Sequence, residues 1–254
     1  MQKVSFILTT YNCSSNLEKT MTSILMQDYP SIEIIIKDGG STDGTKDLIE
    51  KYSRELGEGL LWKSESDKGL YDAMNQGYQM STGDIVVFFN DVLTHRSVVS
   101  HMVNAIEAGG EDCIGAHADL VYANGEKVIR YWHMGKGKIM QGWLPGHPTL
   151  YLKRKVYEKY GLFDTSYRGS ADYEFMIRVL RGREEKLAYV PEMIVSMFYG
   201  GTSTNGISGY LMSLREGHRG LKKNGVKFAF LIDIKRTMRV LGQFRNIDKM
   251  LNIL

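Results

Sequence analysis

The chain has 254 residues, 43% hydrophobic and 24% charged, with a formal net charge of +3, a globular composition that excludes a disordered or collagen-like chain and a mini-protein that needs staples. No run approaches the ~20 apolar residues of a transmembrane helix, and the N-terminus opens into strand-like alternation instead of a secretion signal, so a cytosolic topology is expected. Cys13 and Cys113 lie far apart with no CxxC pairing, which argues against a disulfide framework or a structural zinc site. Residues 215–254 hold ten Lys or Arg against three Asp or Glu; the basic excess is a tail feature, and no nucleic-acid partner is expected.

The first ninety residues alternate strand and helix signals. Val4 to Thr10 is a short β-branched run, followed by Leu17, Met21, Ile24 and Leu25 at helical spacing behind the capping candidates Ser14, Ser15 and Asn16. Ile32 to Lys37 predicts a second buried strand, ending at Asp38-Gly39-Gly40-Ser41, after which Leu48, Ile49 and Tyr52 mark one helix face. A third unit runs from the strand Leu60–Lys63 into a helix over Tyr71–Met80, and Ile85 to Phe89 is the fourth strand. Strands separated by helices of this length predict right-handed crossovers and a parallel sheet covered on both faces. Beyond residue 90 the spacing predicts a helix over Ser97–Ala108, a hairpin over Leu120–Tyr131 turning at Asn124-Gly125, a Gly-rich loop over Lys136–Pro148, a helix over Asp172–Leu180, and basic helices from Ser208.

Ligands of a parallel α/β sheet bind outside the carboxyl ends of its strands. Those ends are polar here: Thr9 to Asn12 after the first, Asp38 to Asp43 after the second, Glu65 to Gly69 after the third, and Asn90-Asp91 after the fourth. One such loop reads as turn and capping chemistry; four facing one rim favour nucleotide binding followed by group transfer. Asp can accept from a base N–H, Tyr can stack on a base, and a carboxylate can hold a divalent cation against a diphosphate. Neither GxxxxGK[ST] nor GxGxxG follows the first strand, which argues against a P-loop enzyme or a dinucleotide dehydrogenase.

Thr9-Thr10-Tyr11-Asn12, Asp38-Gly39-Gly40-Ser41-Thr42-Asp43-Gly44-Thr45, and the run from Glu65 to Gly77 are joined by Gly146-His147-Pro148-Thr149, Ser170-Ala171-Asp172-Tyr173-Glu174 and Gly200-Gly201-Thr202-Ser203. Together they resemble the inverting family-2 glycosyltransferases of GT-A fold, which transfer sugars from nucleotide-sugar donors to bacterial glycans. The resemblance implies a doubly wound, mostly parallel Rossmann-like α/β sheet over residues 1–207, with a nucleotide-binding half at 1–93, an acceptor half at 94–207 and a basic helical extension at 208–254. It places Thr10, Tyr11 and Asp38 on the donor base, Asp67 and Asn75 near base, ribose or phosphates, and Asn12, Ser41, Gly69 and Asn90 in the same donor site. A UDP-sugar is favoured over a GDP-sugar.

The family's fourth strand normally ends in a motif whose last of two acids binds Mn2+ or Mg2+. Phe89-Asn90-Asp91-Val92 has one acid, so Asp91 is the expected ligand of a weakly held divalent metal; the alternative is a helix cap near Arg96. Asp172 matches the family's catalytic acid and is expected to deprotonate the acceptor hydroxyl, with capping of its helix as the competing role. Glu174 is the second choice for the base, and His147, Glu174 and Arg178 are candidates for the acceptor or the diphosphate. Gly200 to Ser203 can form a flap over the donor.

The basic tail intersperses Lys and Arg with Leu221, Phe228, Phe230, Leu231, Ile232 and Leu241. Such segments lie on anionic membranes, which suits a polyprenyl-linked acceptor on the inner face of the cytoplasmic membrane, or they pack on their own domain or on a second copy in a homodimer. The rival to an enzyme is a non-catalytic nucleotide-sugar-binding protein with a degraded metal motif. A nucleotidyltransferase would need a basic Gly-rich triphosphate loop, which is absent.

Overall fold

The computed structural model describes residues 1–124, 127–198 and 206–243. Its first half is the expected alternation: β1 (Val4–Thr10), α1 (Ser14–Leu25), β2 (Ile32–Asp38), α2 (Thr45–Leu56), β3 (Leu60–Ser64), α3 (Leu70–Met80) and β4 (Ile85–Phe88). These strands pair in parallel in the order β3-β2-β1-β4. The chain therefore steps away from β1 on one side and returns on the other, which opens a crevice between the β1 and β4 loops.

Along β1 the side chains divide between two cores because successive residues face opposite sides of a sheet. Phe6 and Leu8 pack with Leu17, Met21 and Ile24 of α1 and Ile49 and Tyr52 of α2, whereas Ile7 packs with Tyr71 and Met74 of α3. Helix α4 (Val98–Ala108) joins the first core through Val98, Met102 and Ile106.

The second half departs from the parallel plan. After β5 (Val92–Leu93) come β6 (Gly115–Asn124), β7 (Lys127–Trp132), β8 (Tyr151–Lys153), α5 (Arg154–Tyr160), α6 (Ala171–Leu180) and β9 (Leu187–Phe198). The sheet continues β4-β8-β6-β9-β5, with β7 on β6, giving nine strands among the described residues. Strands β4 and β6 both pair antiparallel with β8, whereas β6 and β9 are parallel, so the sheet is mixed here. The sequence reading anticipated the β6–β7 hairpin but not β8, α5 or β9. In β9, Pro191 and Glu192 interrupt the apolar pattern, and the register with β6 shifts there, from Val190 opposite Ala118 to Met193 opposite Asp119.

Helices α7 (Gly206–Lys223) and α8 (Ala229–Gly242) form the basic extension, and the expected division at 207/208 falls within the first turn of α7. Helix α7 docks on α6, and α8 packs on α7 and on residues 139–141, with Leu221, Val226, Ala229 and Ile232 buried in the second core. Among the described residues no helix is long and apolar enough to cross a membrane.

Candidate active site

The ends of β1 to β4 bring the first four predicted loops to one rim. Asp38 organises it. Its Oδ1 accepts from the Thr10 hydroxyl at 2.9 Å and from the Ser41 hydroxyl, and its Oδ2 accepts from the Gly40 and Ser41 amides at 3.0 and 2.9 Å and from Ser64 at 2.6 Å. Burial alone would raise this carboxyl; the donors outweigh it and hold it below the usual carboxylate range. The expectation that Asp38 meets a base is thereby corrected: the side chain is fully buried and saturated, and it locks the β1, β2 and β3 loops together. The Thr10 and Ser41 hydroxyls are spent on it. Asn12, in the left-handed region at φ 48°, accepts from the Thr42 amide at 2.8 Å and donates its own amide to Ser41 Oγ at 2.9 Å.

Asn75 and Asn90 are half-buried, and each also has protein partners. Asn75 exchanges hydrogen bonds with both backbone groups of Phe163 at 2.9 and 3.1 Å. Asn90 accepts from the Thr9 amide and donates to the Thr9 hydroxyl, both at 3.0 Å, which pins the β4 loop to β1.

The rim residues that present themselves to a ligand are Tyr11 and Asp67. Tyr11 is 67% exposed. A Cβ placed on Gly39 would stand 2.9 Å from Asp67 Oδ2 and 3.3 Å from the Tyr11 ring, so the bare backbone there lets ring and carboxylate close around one point. Asp67 Oδ1 accepts from the amide of Gly69, the residue preceding α3 at φ 117°. Lys37 lies beneath, fully buried, 3.8 Å from Asp67 Oδ2, and donates to the Asp38 and Glu65 carbonyls at 2.9 and 2.7 Å. Sequence reasoning passed over Lys37, whose signal was a lysine closing an otherwise apolar strand.

From this rim Tyr71 reaches the second half of the molecule. In the first turn of α3, its hydroxyl donates to Asp172 Oδ1 at 2.9 Å. Burial and the Asp172 charge drive the phenol far above its ordinary value, so it stays a donor. Asp172 is the second residue of α6, behind Ser170 at the N-cap position, where the amide ends of the helix favour a carboxylate. It lines a cavity of about 520 Å³ with Tyr122, Arg130, Trp132, Trp143 and His147.

His147 stacks on Phe88, 6.0 Å between centroids, and burial lowers its pKa against the opposing pull of Asp172. The Arg130 guanidinium lies 4.5 Å from the Tyr122 ring centroid and 5.5 Å from that of Trp132. The sequence reading did not anticipate this aromatic wall, although Tyr122, Arg130 and Trp132 alternate along the predicted hairpin.

Asp91 is buried at the end of β4. Its Oδ1 accepts from the Phe198 amide at 3.1 Å, and burial pushes its carboxyl up to about 7. It does not cap the helix near Arg96. Burial raises the pKa of the Tyr122 phenol, and the charges of Asp91 and Asp172 both act on it in the same direction.

Glu174 and Arg178 are withdrawn from the acceptor and diphosphate set, because neither lines the cavity. Glu174 is fully buried against α7, paired with Arg178 Nη2 at 2.9 Å and accepting from Asn224 at 2.9 Å. Arg178 also donates to the Tyr160 carbonyl and, at 2.9 Å, to that of Leu162. The pair stitches α6 to its neighbours. The expected flap at Gly200 to Ser203 lies outside the described residues.

The family model for glycosyl transferase family 2 matches residues 5–170. The chain is 29% identical over 184 residues to a PGL/p-HBAD biosynthesis glycosyltransferase of Mycobacterium tuberculosis, covering 68% of each chain. It is 28% identical over 168 residues to glycosyltransferase AglE of Haloferax volcanii, covering 63% of this chain and 55% of that protein. Among solved structures, TarS residues 1–349 of S. aureus in complex with UDP superposes with a TM-score of 0.68 at 17% identity, covering 98% of this chain and 74% of that one. The mannosyltransferase PcManGT of Pyrobaculum calidifontis, in complex with GDP-Man and Mn2+, superposes with a TM-score of 0.65 at 17% identity, covering 99% and 74%. The fold is that of the GT-A glycosyltransferases, and the protein belongs to glycosyl transferase family 2.

Proposed function

We propose that this protein transfers a sugar from a nucleotide-sugar donor, a UDP-sugar in preference, to a glycan or polyprenyl-linked acceptor with inversion at the anomeric carbon, in bacterial surface polysaccharide synthesis. The observation that carries this reading is the position of Asp172, hydrogen-bonded to Tyr71 on the donor side and lining the aromatic cavity on the other. In the reaction the acceptor oxygen forms the new bond to the anomeric carbon, the bond from that carbon to the diphosphate breaks, and the acceptor proton passes to the Asp172 carboxylate. The Tyr71 hydroxyl fixes the rotamer of that carboxylate. Tyr11 stacks on the base, and Asp67 accepts from base or ribose. Trp132, half-buried at the cavity, offers a face on which an acceptor sugar ring packs.

The site fits a divalent cation held by one protein carboxylate: Asp91 Oδ1 is tied to Phe198 and Oδ2 makes no hydrogen bond among the described residues, and Mg2+-type sites use one or two carboxylates completed by phosphates and waters. When bound, the cation supplies positive charge to the leaving diphosphate. With a single acid the site is a weak one.

The test is release of nucleoside diphosphate from a panel of UDP- and GDP-sugars with Mn2+, for wild type and Asp172→Asn. Acceptor-dependent release by wild type that Asp172→Asn loses while still binding donor supports the reading. Donor binding with no release by wild type from any donor favours a non-catalytic nucleotide-sugar-binding protein instead.

A further inference from the structure

Away from the rim, three side chains from separate elements meet at one point. His95 follows β5, His101 is on α4 and Glu192 is on β9; each presents one ligand atom, and those atoms lie within 4.8 Å of one another. His101 Nδ1 is 2.8 Å and His95 Nε2 3.5 Å from the same oxygen, Glu192 Oε2. His95 follows Asp91 by four residues through β5, about 13 Å of extended chain at about 3.3 Å per residue, so the cluster is a separate group of ligands from Asp91.

We propose that His95, His101 and Glu192 form a second metal site, selective for a borderline divalent cation such as Zn2+ over Mg2+. Two imidazoles and one carboxylate are the donors that suit zinc, and a three-ligand set leaves a position for water. Zinc–ligand bonds of about 2.0–2.1 Å in tetrahedral geometry separate ligand atoms by roughly 3.3 Å. The observed 2.8 and 3.5 Å to Glu192 Oε2 bracket that spacing, and the two imidazole nitrogens lie within 4.8 Å of each other, so metal entry asks only for side-chain adjustment. A plain ion pair needs one imidazole; two cationic rings with centroids 5.7 Å apart would repel, whereas two neutral rings around a cation do not.

The backbone holds the three residues in place without metal. The register shift at Pro191-Glu192 swings Glu192 out of the β6 ladder. Thr94 ties the end of β5 to β9, its amide donating to the Ile194 carbonyl at 3.1 Å and its hydroxyl to that of Met193 at 2.6 Å. Gln27 donates to the His95 carbonyl at 2.9 Å and accepts from the Val99 amide at 3.1 Å, which fixes the turn into α4. Asp28, hydrogen-bonded to Ser100, adds negative charge beside His101. A bound ion would clip α4 to β9.

Calorimetric titration of the full chain with Zn2+ in excess Mg2+ tests this. Wild type is expected to bind Zn2+ at this site and to melt about 5 °C higher at about 100 times Kd. The double variant His95→Ala/His101→Ala is expected to lose the stabilisation and at least tenfold in affinity, and Glu192→Gln part of both, while Asp91→Asn keeps them. Co2+ in place of Zn2+ gives a visible absorption band that the double variant lacks. Should the double variant misfold, His95→Asn and Glu192→Gln singly provide the comparison. A wild-type chain that takes up no Zn2+, or variants that bind it as tightly as wild type, would overturn the proposal whatever the fate of the glycosyltransfer reading.

Discussion

Tyr71 and Asp172, separated by a hundred positions of chain, are joined by a 2.9 Å hydrogen bond that links the helix leaving the donor rim to the helix bordering the aromatic cavity. It connects donor loop to candidate base directly. The loop that contains Asp67 and Gly69 runs directly into the first turn of α3, which holds Tyr71.

Tyr71→Phe removes one donor from a charged acceptor, an interaction worth about 1.5–3 kcal/mol. Turnover should fall roughly 10- to 100-fold with the KM for donor little changed, because positioning and not binding is lost. Asp172→Asn should fall further, by about 100- to 10,000-fold, in line with removal of a general base. Steady-state rates of diphosphate release check both. A Tyr71→Phe enzyme that raises donor KM with turnover intact would assign Tyr71 to the donor instead.

In the proposed reaction the cation acts through Asp91. Thermal shifts with UDP-sugar should rise on adding Mn2+ for wild type, and Asp91→Asn should show the same donor shift with Mn2+ as with chelator. If wild type binds and turns over donor fully in excess chelator, the metal role of Asp91 is wrong.

The first half of the fold was legible because each strand there is a short apolar run with a polar end and each helix keeps one apolar face: Phe6 and Leu8 on one side of β1, Ile7 on the other. The rim was legible for the same reason, since topology alone brings those ends together. What the pattern did not reveal is where each polar atom is spent. Asp38 looks like a ligand contact and is an internal fastener, because a fully buried carboxylate takes the donors that lie nearest. Glu174 and Arg178 pair at i,i+4 spacing, which the sequence displays, but their burial under α7 depends on a helix some forty residues downstream. Strand β9 was hidden by Pro191.

Glu33 marks the opposite end of the sheet and sets an acid-stability limit. It accepts from Ser5, the Thr82 hydroxyl and amide, and the Gly83 amide, and pairs with Lys3 at 2.8 Å. Burial raises its carboxyl, but these donors prevail and bring it down to about 2 from 4.5. A depressed acid contributes fully above its unfolded value, so this contribution, about 3 kcal/mol at 1.36 kcal/mol per pKa unit, is present above pH 4.5 and drains away as pH falls towards 2. Glu33→Gln should lower urea-unfolding stability at pH 7 by up to that amount and flatten the acid slope between pH 4.5 and 2. An unchanged slope would show that other carboxylates govern it.

The extension carries the last prediction. Because α7 and α8 bury Leu221, Val226, Ala229 and Ile232, deleting residues 215–254 would open the core, so point variants are needed to ask what the outer face does. Phe230, Leu231, Ile234, Met238 and Leu241 recur at helical spacing along α8 and are each at least 45% exposed among the described residues. Lys235 and Arg239 follow that stripe along α8 and donate to the Met140 and Gln141 carbonyls at 3.2 and 3.3 Å. An apolar stripe edged with cations suits an anionic membrane surface, where each basic residue contributes about 1 kcal/mol and the apolar side chains add burial. The chain should therefore sediment with vesicles containing anionic lipid, less with zwitterionic ones, and less as salt rises. Ile234→Glu/Met238→Glu should abolish sedimentation while leaving the melting temperature close to wild type. A wild-type chain that ignores anionic vesicles, yet becomes monomeric when these two residues are changed, would identify the stripe as the contact of a homodimer.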